Sequence, residues 1–191
     1  MRKSKTETAE TRARIVHTAA KMFLENGLGA VGMRDIMAAA GLTRGAFYRH
    51  FASKDELIAE ANGSSSERLY SRLQNGIIGK SQAKALENIV SIYLSQAEQQ
   101  DEQSPCTLAM IGAELSHYDR GVRDVAVSAY DHIVQLIASQ LPQQNKKKRL
   151  RIASGIVSTM VGAVTLARIA PDAAVAKTIL ANAKAAVLAA Q

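Results

Sequence analysis

Apolar residues recur at intervals of three and four along nearly the whole chain, with polar residues between them. That is the pattern of amphipathic helices, and few stretches alternate as half-buried strands do. A first helix is expected over residues 10–26, with Ile15, Ala19, Met22 and Phe23 as its buried stripe and Gly27 ending it. A short second helix follows over 33–40. Gly41, Leu42 and Thr43 make a tight turn, and Thr43 caps a third helix ending near Phe51. Ser53 and Glu56 have the spacing of a capping box for a fourth helix. Gly63, Ser64, Ser65 and Ser66 predict a kink there, unless packing overrides propensity.

Further along, 75–79 reads as a break, and Ser81 caps a helix running to about Gln100. Pro105 opens another over 106–118, and Arg120 and Gly121 separate it from a helix ending at Pro142. A basic run, 146–151, leads into a long apolar helix ending at Pro171, and Asp172 caps the last. The fold class is therefore all-α, with about nine helices. Residues 1–56 form an N-terminal three-helix bundle with a helix-turn-helix, and 57–191 a helical domain for effector binding and dimerisation.

Composition adds a partner. Apolar residues make up 47% and charged residues 21%, which is ordinary for a soluble globular protein. The net charge of +7 is unevenly placed: residues 1–54 hold ten Lys/Arg against four Asp/Glu, and 55–191 hold fourteen against thirteen. A basic first domain points to an anionic polymer or surface, with nucleic acid modestly ahead of a membrane on charge alone. The single cysteine, Cys106, excludes an intrachain disulfide. The first residues lack a signal-peptide core, and the uncharged run 152–167 is short of the roughly 20 residues of a bilayer span. A cytoplasmic protein with no membrane partner is expected.

Residues 33–51 carry the function. Two short helices joined at Gly41 behind a longer one form a helix-turn-helix, with Ile36, Leu42 and Phe47 as its small core. Arg44, Gly45, Tyr48 and Arg49 share one face of the third helix, while Phe47 points away. Such a face suits the major groove, with arginines reading guanine edges and Gly45 and Ala46 permitting close approach. Tyr48 and His50 suit phosphate oxygens, as does Lys54 at a helix start with free amides. The turn alone fits any amphipathic three-helix bundle equally well.

The stretches 11–27 and 33–57 closely resemble the DNA-binding domain of the TetR family, without a gap to about residue 60. The most specific portion comprises Gly41, Thr43, Gly45, Phe47, Tyr48, His50, Phe51, Ser53 and Lys54. The resemblance implies an all-helical dimer that binds a palindromic double-stranded DNA operator. A variable C-terminal domain would bind a small-molecule effector, dimerise through its last two helices and release DNA when occupied. By position it makes Arg34, Arg44, Gly45, Ala46 and Arg49 candidates for base contacts, and Thr43, Tyr48, His50 and Lys54 candidates for phosphate contacts. Family members often carry hydroxyl residues just before the second helix, where this chain has Gly32 and Met33.

Other signals are weaker. Gly27, Gly29 and Gly32 match a dinucleotide-binding motif by spacing, but they follow a helix rather than a strand. Glu114 and His117 resemble half of a helical metal site with no second half, so no metal or cofactor is expected. Cys106 stands at a helix start, where the dipole lowers a thiol pKa. The segment 106–115 also resembles one found in TetR-family members, some of which sense electrophiles, so a thiol sensor or an activator stays an alternative to a repressor. The run 146–151 reads as a solvated turn. Tyr93, Cys106, Met110, Glu114, His117 and Tyr130 are candidate effector contacts. Ser154, Gly155, Ser158, Gly162 and Leu166 form a small-residue stripe suited to a symmetric dimer interface. No catalytic constellation is readable, and an enzyme is not expected.

Overall fold

A computed structural model of the chain describes residues 5–95, 105–142 and 145–189. Among these it forms eight α-helices and one 3-10 helix, with no strand. In order they are α1 (Lys5–Asn26), α2 (Met33–Ala39), the 3-10 helix (Arg44–Arg49), α3 (Lys54–Ile77), α4 (Gln82–Leu94), α5 (Thr107–Leu115), α6 (Arg120–Ala138), α7 (Lys146–Arg168) and α8 (Ala173–Ala189).

Where the helices depart from the periodicity, local causes are visible. The third helix is a six-residue 3-10 segment, and Thr43 precedes it in an extended conformation without a side-chain cap. α3 runs unbroken through Gly63 to Ser66, because α6 lies against it. A Cβ on Gly63 would sit 3.5 Å from Val125, and Ser65 is fully buried. Small residues permit that approach, so packing outweighs propensity. Arg120 and Gly121 do not separate helices. Asp119 accepts a hydrogen bond from the Val122 amide at 2.9 Å, which starts α6 at Arg120. The basic run 146–151 is not a turn either: Asn145 caps Lys148 at 3.1 Å, and the run forms the first turns of α7. Ser81 precedes α4 without a side-chain cap, and α4 ends at Leu94; residues 96–104, where that helix was expected to continue, lie outside the described residues. Asp172 caps α8 through the Val175 amide, as its position predicts.

Two apolar clusters fill the interior. One gathers Ile15, Phe23, Leu28, Ile36, Phe47 and Phe51 from the N-terminal bundle with Ile58 of α3, Ile111 and Leu115 of α5, and Val122 of α6. The other joins α3, α4, α6, α7 and α8 around Leu69, Tyr93, Ile137, Val157 and Met160. Helices α3, α5 and α6 contribute to both, so the N-terminal bundle and the C-terminal helices share structural members. α7 is long and apolar enough to cross a bilayer by length and composition. Its buried residues, including Ala153, Val157 and Val164, belong to the second core.

The junction between the clusters carries a polar defect. Asn62 is buried, and neither atom of its carboxamide has a hydrogen-bond partner. An unsatisfied buried amide costs about 1–3 kcal/mol. Asn62→Leu, nearly isosteric and apolar, is expected to raise unfolding stability by about that amount in urea denaturation. A loss of stability would show that the carboxamide is satisfied in solution.

Candidate functional site

The recognition segment is built on Phe47. This ring is buried and meets Tyr48 edge-on at 5.3 Å and Phe51 at 5.5 Å. With this ring turned inward, Arg44, Gly45, Tyr48 and Arg49 are each exposed, and Ala46 and His50 are half-buried. Three residues per turn do not put the four on the single face that an α-helix would give them. Tyr48 is 64% exposed, a large aromatic surface with nothing to cover it in one chain. A Cβ on Gly45 would meet nothing within 4 Å, so this point of the helix is open to a surface that approaches it. No carboxylate pairs with Arg44 or Arg49 among the described residues, so both guanidinium groups remain available to an anion. Arg34 projects from α2, 3.9 Å from its neighbour Asp35 and largely exposed.

The start of α2 has an unusual cap. Gly32 is the N-cap and supplies no side-chain hydrogen bond. A Cβ there would lie 2.9 Å from the Asp35 carboxylate, which folds back over the helix start. The helix start thus has a nearby negative charge in place of a capping hydroxyl.

Behind the recognition segment, the start of α3 is tied down on several sides. Ser53 accepts from the Glu56 amide at 3.1 Å, and Glu56 accepts from the Ala52 amide at 2.6 Å, one residue before the donor the usual box employs. That amide, together with Arg12, holds the Glu56 carboxyl below the usual range. Arg12 of α1 bonds Glu56 at 2.8 Å and Glu60 at 2.5 Å, and it lies 4.1 Å over the Phe51 ring. Nothing in the sequence singled out Arg12, because its partners lie 44 and 48 residues away.

Lys54 is turned inward. Its ammonium donates to the Leu28 carbonyl at 2.7 Å and lies 5.9 Å from the Phe23 ring. The same Leu28 residue donates its amide to Glu114 of α5 at 2.7 Å, and Gly29 donates to that carboxylate at 3.2 Å. Gly27 makes this possible: its φ is +82°, and a Cβ there would lie 2.9 Å from the carboxylate. Glu114 therefore belongs to a structural clamp. Among the described residues no group of three His, Cys, Asp or Glu could hold a metal.

The remaining effector candidates do not converge. Tyr93 is fully buried in the second core, and Met110 packs beside the first. His117 is exposed. Cys106 is buried, and burial pushes its thiol pKa up despite the opposing effect of the nearby Ala109 and Leu108 amides. The position at a helix start is thus outweighed by desolvation. Tyr130 does line a cleft of about 720 Å³ between α5, α6 and α7, with Leu108, Leu115, Val127 and Val161 as apolar walls. Its hydroxyl is hydrogen-bonded to Ser154. Ser158 and Gly162 belong to the α7 wall of this cleft, so two stripe residues and one effector candidate meet there. Gly155, Ser158 and Leu166 are exposed along α7, and Ile169 and Val175 extend that surface toward α8.

These features define a helix-turn-helix protein with a helical C-terminal domain. Residues 15–61 match the profile of bacterial regulatory proteins of the tetR family. Residues 82–182 match the C-terminal domain of LmrA/YxaF-like transcriptional regulators. The chain belongs to the TetR family of bacterial regulators. It is 36% identical over 87 residues to the HTH-type transcriptional repressor KstR2 of Mycobacterium tuberculosis, covering 46% of this chain and 42% of that protein. It is 42% identical over 59 residues to the regulator AcrR of Shigella flexneri, covering 31% and 27%. The chain thus spans less than half the length of these curated relatives. A TetR transcriptional regulator from Chloroflexus aurantiacus superposes with a TM-score of 0.81 at 28% identity, over 96% of this chain and 95% of that one. Reduced NemR of E. coli has the same fold, with a TM-score of 0.80 at 20% identity over 93% and 95%.

Buried and with a raised pKa, Cys106 is expected to resist thiol reagents. Labelling by a maleimide at pH 8 should be slower in the native protein than in guanidinium on the order of 100-fold. Equal rates would restore the thiol-sensor alternative.

Proposed function

We propose that the protein is a dimeric transcriptional repressor, which binds a palindromic operator and releases it when a small molecule occupies the C-terminal domain. The observation that carries this reading is the exposure of Arg44, Gly45, Tyr48 and Arg49 around buried Phe47, within the TetR-family match. Arg44 and Arg49 read base edges, with Gly45 and Ala46 allowing approach and Arg34 reaching from α2. Thr43, Tyr48 and His50 hold phosphates. Lys54, engaged by the Leu28 carbonyl, acts by fixing the turn, and phosphate at this end meets the backbone of α3 instead. The name of the KstR2 relative favours repression over activation.

Dimerisation is assigned to the exposed small and apolar surface of α7 and α8, at Gly155, Ser158, Gly162 and Leu166. Ser154 supports it from beneath by its bond to Tyr130. Two-fold symmetry then sets the recognition helices about 34–36 Å apart, on successive major grooves. The cleft shares this surface, with Ser158 and Gly162 in its α7 wall. A ligand preferring one arrangement of α5, α6 and α7 shifts the half-site spacing by its differential affinity for the two states. α5 carries both a cleft wall and Glu114, and so connects the cleft to the Leu28 turn. The domains divide at about residue 56, and no enzymatic step is assigned to either.

Operator affinity measured by fluorescence anisotropy tests the residue assignments. Arg44→Ala and Arg49→Ala are each expected to cost about 1–3 kcal/mol and to relax preference at particular base pairs. Lys54→Met should weaken binding while leaving the salt slope at its wild-type value. Unchanged affinity in both arginine variants would refute the docking, and a slope lower by about one for Lys54→Met would return its ammonium to a phosphate.

A further inference from the structure

We infer that the cleft between α5, α6 and α7 selects a monoanionic amphiphile, an apolar body carrying one carboxylate head, with Arg123 as the group that recognises the head. This rests on the effector-responsive reading above and specifies its ligand class. At about 720 Å³ the cleft is of the size that small-molecule sites have. Its walls are aliphatic, including Leu108, Leu115, Val127 and Val161, which suits a hydrocarbon or aromatic body. Arg123 is the one charged residue in its lining, and the other polar groups there are the hydroxyls of Ser116, Tyr130 and Ser158.

The neighbouring acids do not neutralise this arginine. Asp119 caps α6 through the Val122 amide, Asp124 pairs with Arg120 at 3.5 Å, and Glu114 is held by the amides of Leu28 and Gly29. The Arg123 guanidinium has no hydrogen bond or ion pair with any described residue. It also stands in the first turn of α6, where the helix dipole favours an anion. A guanidinium offers a carboxylate two parallel hydrogen bonds, whereas an ammonium head would find no acid in the cleft to receive it. An uncharged head would gain only hydroxyl contacts.

Three probes of equal chain length separate head from body: octanoate, octan-1-ol and octylamine, titrated into the intact protein by calorimetry. Octanoate is expected to bind at least 10-fold more tightly than either of the others, and Arg123→Gln to abolish that advantage while Arg123→Lys keeps part of it. The exposed position of Arg123 makes both variants compatible with folding, which an unchanged melting temperature would verify. If octanol or octylamine binds as tightly as octanoate, or if Arg123→Gln keeps the preference, the anion selectivity is wrong although the cleft still takes an amphiphile. If none of the three binds, the cleft as an effector site fails together with this inference.

Discussion

The backbone of Leu28 is the point on which the two halves of the molecule depend. Its carbonyl accepts from Lys54 at the start of α3, its amide donates to Glu114 of α5, and its side chain is fully buried in the N-terminal core. Three elements distant in sequence thus converge on a single residue. The bonds are charge-assisted and partly shielded from water, which makes them stronger than neutral ones. Gly27 supplies the positive φ that turns the chain into this position and leaves room for the carboxylate. The recognition segment is therefore held by the same framework that forms one wall of the cleft.

The exterior face of that framework follows from how few residues the core needs. Phe47 and Phe51 anchor the six-residue 3-10 helix in the core, and Arg44, Gly45, Tyr48 and Arg49 are left exposed. Arg12 reinforces the arrangement from α1 by pairing with two glutamates of α3 and covering Phe51. On the proposed reading this rigidity holds an arginine in bidentate geometry with a base edge, which misplacement would forfeit. At the opposite end, α7 leaves Leu166 and Ile169 uncovered, a surface that a second copy would bury.

Local features were legible in the sequence. The capping residues Ser53 and Asp172 and the glycine stops at Gly27 and Gly41 act within a few residues, and the structure has them where spacing put them. The inward position of Phe47 followed from amphipathic periodicity. What was not legible depends on distance. Gly63 to Ser66 reads as a helix breaker until α6 is laid against it. Lys54 reads as a phosphate ligand until the Leu28 carbonyl, 26 residues away, is found beneath it. Glu114 looked like half a metal site or a pocket lining, and its actual partner lies 86 residues earlier. Tyr93 and Cys106 carry polar atoms that suggest a binding site, yet their burial is decided by the helices α3 to α8 that gather in the second core. Arg123 acquires a place only when α5, α6 and α7 are brought around one cleft.

The central claim is that the reading face is coupled to α5 through the Leu28 turn. Amide hydrogen exchange at Leu28 and Gly29, followed by NMR together with operator affinity in a Glu114→Ala variant, tests it most directly. The coupling predicts that protection at these two amides falls by at least about 10-fold while Phe23 and neighbouring α1 amides keep theirs, and that operator affinity falls with it. Lost protection at Leu28 and Gly29 with operator affinity unchanged would contradict it.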